Sequence, residues 1–146
     1  MTKNNITKDR DPDAAYQLDA QVGFLLRRVQ QRHLAIFFDH IPDMTATQFA
    51  ALAKLCELGS GSQNELGRKT AMDAATIKGV VDRLRGRGLV SACRDPEDMR
   101  RVHLAPTEKG QQLFDELTAR ASEITARTLA PLTEAEQRRF LKLLGK

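Results

Sequence analysis

Arg94, Arg100 and Arg101 fall in the stretch RDPEDMRRVHLAPTEKG, Arg94 to Gly110, which sets eight charged side chains between ordinary apolar segments. A guanidinium is always charged, and on a thin loop it fits the narrow minor groove of DNA, where the potential is most negative. Asp98 stands two positions before Arg100, close enough to hold its guanidinium in an aimed rotamer. On this reading the acids orient and the arginines touch. Upstream, Asp73, Ala74, Ala75, Thr76 and Lys78 offer small residues for close approach, a hydroxyl for a phosphate oxygen, and an ammonium for a phosphate or a guanine edge. Ser62, Gln63 and Arg83 complete the expected DNA-facing set.

A second group joins imidazoles, an amide and aromatic rings. His33, Phe37 and His40 follow helical spacing on one face, with Gln30 beside them, and Phe49 comes from the next predicted helix. An imidazole pairs with a carboxylate and a phenyl ring stacks on an aromatic one. The alternative is that both histidines are satisfied structural residues at the edge of a core. Arg27 and Arg28 point away from His33 by helical phase. Cys56 and Cys93 lie 37 positions apart and form no C-x-x-C pair, so reduced thiols are expected, with a cysteine redox switch as a rival reading. The three histidines are scattered, and no metal site is expected. No nucleophile–base motif, phosphate-binding glycine loop or carboxylate pair argues for an enzyme.

Elements must hold these groups in place. Leu18, Val22, Leu25, Val29 and Ile36, broadened by Leu26, predict one helix of about 27 residues from Ala14 to just before Pro42, roughly 40 Å long. Its apolar stripe is wide enough for two surfaces. Thr45 and Gln48 form a capping box before a helix burying Phe49, Leu52, Leu55 and Cys56, with Gly59 as its stop. Ser62 and Glu65 repeat the box for a helix of barely two turns. Asp73 caps a third helix, with Ile77, Val80, Val81 and Leu84 inward and Gly86 and Gly88 at its end. Gly67 allows these two short helices to cross closely, with Leu66 and Ile77 between them. The strands Leu89–Arg94 and Arg101–Ala105 predict a hairpin around the loop DPEDM, with Pro96 setting the turn and Asp95 or Asp98 bonding nearby backbone. A second long helix starts at Thr107 and carries Leu113, Leu117, Ala121, Ile124 and Leu129. Pro131 breaks it. Thr133 and Glu136 box the last helix, with Phe140, Leu143 and Leu144 as its expected buried face.

The chain has 146 residues and a formal net charge of +4, with an isoelectric point near 9.3. That size suits one domain, and the mild basicity favours a polyanionic partner where the charge is clustered. No run approaches the roughly 20 apolar residues of a membrane span. The polar start MTKNNITKDRDPD lacks the apolar region of a secretory leader, so a cytoplasmic protein with a flexible arm over 1–13 is expected. The fold class is mainly α with a small β-hairpin wing, as one domain over 14–146. A short helix, a turn and a second helix is the helix-turn-helix arrangement, and the hairpin is its wing.

SQNELGRKTAMDAATIKGVVDRLRGRGLVSACRDPEDMRRVHLAPTEKG resembles the winged helix-turn-helix core of the MarR family of bacterial transcriptional regulators. The resemblance rests on Asp98 and Arg100 in the wing, Thr107 and Gly110 after it, and Thr76, Val81, Arg83, Leu84, Gly88, Leu89 and Val90 before it. It extends from about Tyr16 to Leu144. Met99 and Pro106 depart from the pattern; the first would trim wing affinity, and neither threatens the fold. The resemblance implies a homodimer joined by helices at about 14–41 and 107–146, with a DNA-binding lobe at about 45–106. It implies a repressor on a pseudo-palindromic operator, half-sites one helical turn apart, released by a small aromatic carboxylate or phenol rather than by a resident cofactor, with Gln30, His33, Phe37, His40 and Phe49 as the candidate effector site. Tyr16 would then cover the partner's effector site. A non-DNA winged-helix interaction module is the remaining alternative.

Overall fold

In the computed structural model, residues 15–146 are described; the expected arm at 1–13 and the expected helix start at Ala14 lie outside them. A 3-10 turn, Leu18–Ala20, leads into α1 (Val22–His40), followed by α2 (Ala46–Leu58), α3 (Gln63–Lys69), α4 (Ala74–Gly86), β1 (Val90–Arg94), β2 (Val102–Pro106), α5 (Glu108–Thr128) and α6 (Glu134–Leu144). The first helix is therefore 19 residues long rather than about 27. Gln21 has extended backbone (φ −88°, ψ 136°) and separates the turn from the helix. Apolar spacing could not show the break, because a 3-10 turn carries Leu18 into nearly the phase of a helix.

The helix starts obey the chemistry of their first residues. Thr45 and Thr133 form complete capping boxes with Gln48 and Glu136. Ser62 Oγ accepts the Glu65 N–H at 3.1 Å, but its box is only half made, because the Glu65 carboxylate turns to Lys69, 3.2 Å away. Gly59 and Gly88 take positive φ, at 80° and 72°, where a side chain would be strained. One core joins the lobe: Leu52, Leu55, Leu66, Ile77, Leu84 and Leu89 are essentially inaccessible, each burial stabilising the fold by about 1.5–3 kcal/mol. Phe37 and Ile41 at the end of α1, and Leu117 and Ile124 on α5, extend it toward the long helices.

The hairpin is antiparallel, with Val90 opposite Pro106 and Arg94 opposite Val102. Pro106 sits at the strand end, where a missing N–H costs little. Gly61 adds a bridge outside the hairpin: its N–H donates to the Leu104 carbonyl (2.9 Å) and Leu104 N–H to its own (2.8 Å). At the wing's base, Thr107 Oγ1 donates to the Gly88 carbonyl (2.6 Å) and accepts the Gly110 N–H (3.1 Å). A Cβ on Gly110 would run into the Leu89 carbonyl. The spacing of Thr107 and Gly110 is thus a clasp between α5 and the end of α4.

The outer helices are less covered than their periodicity predicts. Leu25, Leu26 and Val29 on α1 are exposed, and Val22 is 73% exposed. On α6, Phe140 is half-buried, while Leu143 and Leu144 are exposed, which corrects their expected burial. Leu34 and Phe38 are exposed on a different side of α1.

Candidate nucleic-acid interface and effector cavity

The α3–turn–α4 unit is tight for a visible reason. A Cβ on Gly67 would lie 3.1 Å from the Met72 carbonyl oxygen and 3.2 Å from Ile77 Cγ2, so only glycine fits this crossing without displacement. The turn runs through Ala71 at φ 55°, a left-handed conformation that composition did not announce. Asp73 Oδ1 accepts the Thr76 N–H at 2.7 Å. That backbone bond, with the Thr76 side chain second, holds the Asp73 carboxyl below its ordinary range. Asp73, Ala74, Ala75, Thr76 and Lys78 are all exposed at the start of α4. Lys78 Nζ pairs with Asp82 at 2.9 Å, an exposed contact that a phosphate can replace at little cost.

The wing corrects one expected contact. Asp98 does not grip the Arg100 guanidinium: its Oδ1 accepts the Arg100 backbone N–H at 3.0 Å, and its Oδ2 lies 3.8 Å from Arg101 Nε. Two-residue spacing favours this turn bond, in which an aspartate reaches the main chain before a longer side chain. Among the described residues, the Arg100 side chain forms no hydrogen bond or ion pair. Arg94 Nη1 donates to the Met99 carbonyl at 3.2 Å, bracing the loop. Asp95 Oδ1 accepts the Glu97 N–H at 2.9 Å, and its Oδ2 lies 3.3 Å from His103 Nε2. The backbone bond first and His103 second pull the Asp95 carboxyl down. His103, opposite Cys93 in the register, has a place in the wing that sequence reasoning missed; the available signal was an imidazole in the second strand with Asp95 at the end of the first. Across an open cleft of about 470 Å³, Ser62 and Gln63 face Arg100, Arg101 and His103. The expected DNA-facing residues of α3 and the wing are therefore neighbours.

Of the expected ligand residues, His33, Phe37 and Phe49 are in ring contact, with His33 6.5 Å from Phe37, but the set does not line one cavity. Gln30 and His33 line a groove of about 270 Å³ with Leu129, Phe140 and Leu144. His33 Nδ1 lies 3.1 Å from Thr128 Oγ1; that hydroxyl donates its one proton to the Ile124 carbonyl, so the imidazole is the donor between them. His40 Nδ1 lies 2.8 Å from the Ile36 carbonyl and carries its proton there, while Nε2 turns to Glu123 at 3.8 Å. Both rings thus have structural partners. Phe49 packs between Phe37 and Phe114, with centroids 6.0 and 6.1 Å away.

A larger cavity, about 700 Å³, opens between α1, α2 and α4. Of the expected ligand residues only Phe37 reaches it. Its other walls include Phe38, Met44 and Gln48, and its cations are Arg83 and Arg87. Arg83, expected on the DNA face, borders this cavity. Sequence reasoning missed Arg87, whose signal was its place among the basic residues closing α4.

The cysteines stand apart. Burial, then the Asp115 charge, pushes the Cys56 thiol up, which lowers its thiolate fraction; Cys93 is exposed on β1. Among the described residues no three His, Cys, Asp or Glu side chains are placed to hold a metal ion, and no helix is long and apolar enough to cross a membrane.

Comparison with known proteins gives the arrangement its context. A sequence model described as the MarR family matches residues 44–102. The HTH-type transcriptional repressor NicR of Pseudomonas putida is 41% identical over 133 residues, covering 90% of this chain and 84% of NicR. The structure of Bordetella bronchiseptica BpsR, whose DNA binding is described as regulated by 6-hydroxynicotinic acid, superposes with a TM-score of 0.86 at 40% identity, over 90% of this chain and 95% of that one. The Streptomyces coelicolor regulator PcaV, in complex with its natural ligand, gives 0.82 at 34% identity, over 90% and 94%.

Proposed function

The chain belongs to the MarR family, and on that premise we propose that two copies of it hold a pseudo-palindromic operator and release it when a small aromatic carboxylate binds. It acts as a cytoplasmic repressor that covers promoter DNA and performs no catalysis. Residues at about 45–106 are its DNA-binding lobe, and the helices at about 14–41 and 107–146 join the two copies. The observation that carries this reading is the cleft that sets Ser62 and Gln63 against Arg100 and Arg101, beside an α4 N-terminus whose Asp73, Ala74, Ala75 and Thr76 are exposed. Ala74 and Ala75 let α4 approach the major groove, Thr76 and Ser62 bond phosphates, and Lys78 and Gln63 reach phosphate or base edges. The free Arg100 enters the minor groove, flanked by Arg94 and Arg101, with Asp98 and Asp73 shaping backbone rather than touching DNA.

The effector occupies the 700 Å³ cavity, its ring against Phe37 and Phe38 and its carboxylate toward the arginines. The likeness to NicR and BpsR supports a hydroxylated heteroaromatic acid such as 6-hydroxynicotinic acid. Gln30 and His33 belong instead to the groove that the second copy covers, and His40 and Phe49 support the walls. The test is an anisotropy titration of the protein against DNA from its own upstream region, over a range of salt, with and without 6-hydroxynicotinic acid. Salt-sensitive binding weakened by the acid is the expected result. Salt-sensitive binding that the acid leaves unchanged rejects the effector, and binding to no upstream segment rejects the whole reading.

A further inference from the structure

Among the described residues, Arg87 is the cation that borders both cavities beside the turn joining α1 and α2. It is the first residue beyond α4, the C-cap of the recognition helix, and its side chain crosses to the turn joining α1 and α2, where Nη1 donates to the Asp43 carbonyl at 2.8 Å. It borders the 700 Å³ cavity on one side and a smaller one of about 230 Å³ on the other. A guanidinium has five N–H donors, and among the described residues this one makes no ion pair and only that one hydrogen bond. Its own carbonyl is held by Lys109 Nζ at 2.9 Å, so the backbone is fixed while the exposed side chain can turn.

We propose that Arg87 reads the effector's carboxylate and, in taking it, lets go of the Asp43 carbonyl, so that the tie between recognition helix and dimerisation helix is exchanged for a tie to the ligand. The inference rests on the effector reading above and adds the residue that senses charge and passes it on. A carboxylate is the stronger acceptor, because it carries the opposite charge and takes two parallel N–H bonds from the guanidinium fork where the carbonyl takes one. The carboxylate meets the guanidinium end-on, through Nη1 and Nη2, and so competes for the Nη1 that now serves Asp43. Arg83, one turn earlier on α4, borders the same cavity and adds positive potential, but it has no bond to the α1–α2 turn and so cannot report occupancy there. The acid must then favour the state with the Asp43 bond broken, and DNA the state with it made, which is the reciprocal coupling that release requires.

Calorimetric titration of the full chain with 6-hydroxynicotinic acid and with its neutral amide tests this. The native protein should prefer the acid by about tenfold or more, the worth of a charged hydrogen-bond pair. Arg87→Ala should bind acid and amide alike, and Arg87→Lys, which keeps the charge but not the fork, should retain part of the preference. In the anisotropy titration the acid should no longer loosen DNA held by Arg87→Ala. An Arg87→Ala protein that still prefers the acid as the native one does overturns the inference while leaving the effector reading intact. So does a preference abolished by Arg83→Ala and untouched by Arg87→Ala. A native protein that binds neither compound removes the effector reading itself, and the inference with it.

Discussion

At Gly110 one methyl group decides whether α5 can meet the end of α4. A Cβ there would collide with the Leu89 carbonyl, so Gly110→Ala forces the helix away from the wing, and we expect a loss of about 1–3 kcal/mol in urea unfolding. Asp73 gives a different signature. Its carboxyl is held below the ordinary range by the Thr76 N–H, so its contribution is present above the unfolded-state value and disappears as pH falls through the lower folded value. The thermal midpoint of the native protein should therefore drop below about pH 4, and Asp73→Ala should lack that component in scans across the acid range. Residues of this kind were legible when the bond ran to a backbone group at fixed spacing, as at Thr45, Asp73 and Thr133. Asp98 was legible as an ordering residue but not in its partner, because spacing does not say whether a carboxylate meets a main-chain N–H or the next guanidinium.

The helices were legible as elements because their caps and apolar periods agree, and the hairpin because two short runs flank the Asp95–Pro96 turn. What escaped was set by backbone geometry or by distant pairing. The Gly61–Leu104 bridge joins residues far apart in the chain, the extended Gln21 leaves the apolar phase unbroken, and Ala71 adopts φ 55° with no glycine to mark it. That last position makes a prediction for the turn between α3 and α4. A left-handed alanine costs about 1–2 kcal/mol, so Ala71→Gly should raise stability by about 1 kcal/mol after its extra unfolded-state freedom is counted. Denaturant midpoints of the two proteins check it; an unchanged or lower midpoint means that the turn gains more from the alanine side chain than it loses in backbone strain.

For the whole molecule, the wide stripes on the outer helices signalled a second surface, and the structure shows it uncovered at Val22, Leu25, Val29 and Leu144. Its occupant was legible only through resemblance, as was the existence of an effector. Of the residues expected around that effector, His33, Phe37 and Phe49 keep ring contact but open onto different cavities, because helical phase on α1 cannot tell which side faces α4 and which faces α6. If two copies meet through these faces, Leu25→Glu places a carboxylate in the apolar seam; sedimentation should show monomers, and operator affinity should fall steeply because each half-site is then bound alone. The clasp at Thr107, Gly110 and Lys109 carries a mechanical consequence for such a pair. It fastens one end of α5 to the recognition helix, while Arg32 grips the carbonyls of Arg127 and Thr128 at the other. A helix of 21 residues is a stiff rod of about 32 Å, and tilting such a rod by roughly 5° about one end carries the other through about 3 Å. A rearrangement at the seam too small to disturb its packing is thereby geared up into a displacement comparable to a base-pair step where the protein meets the groove.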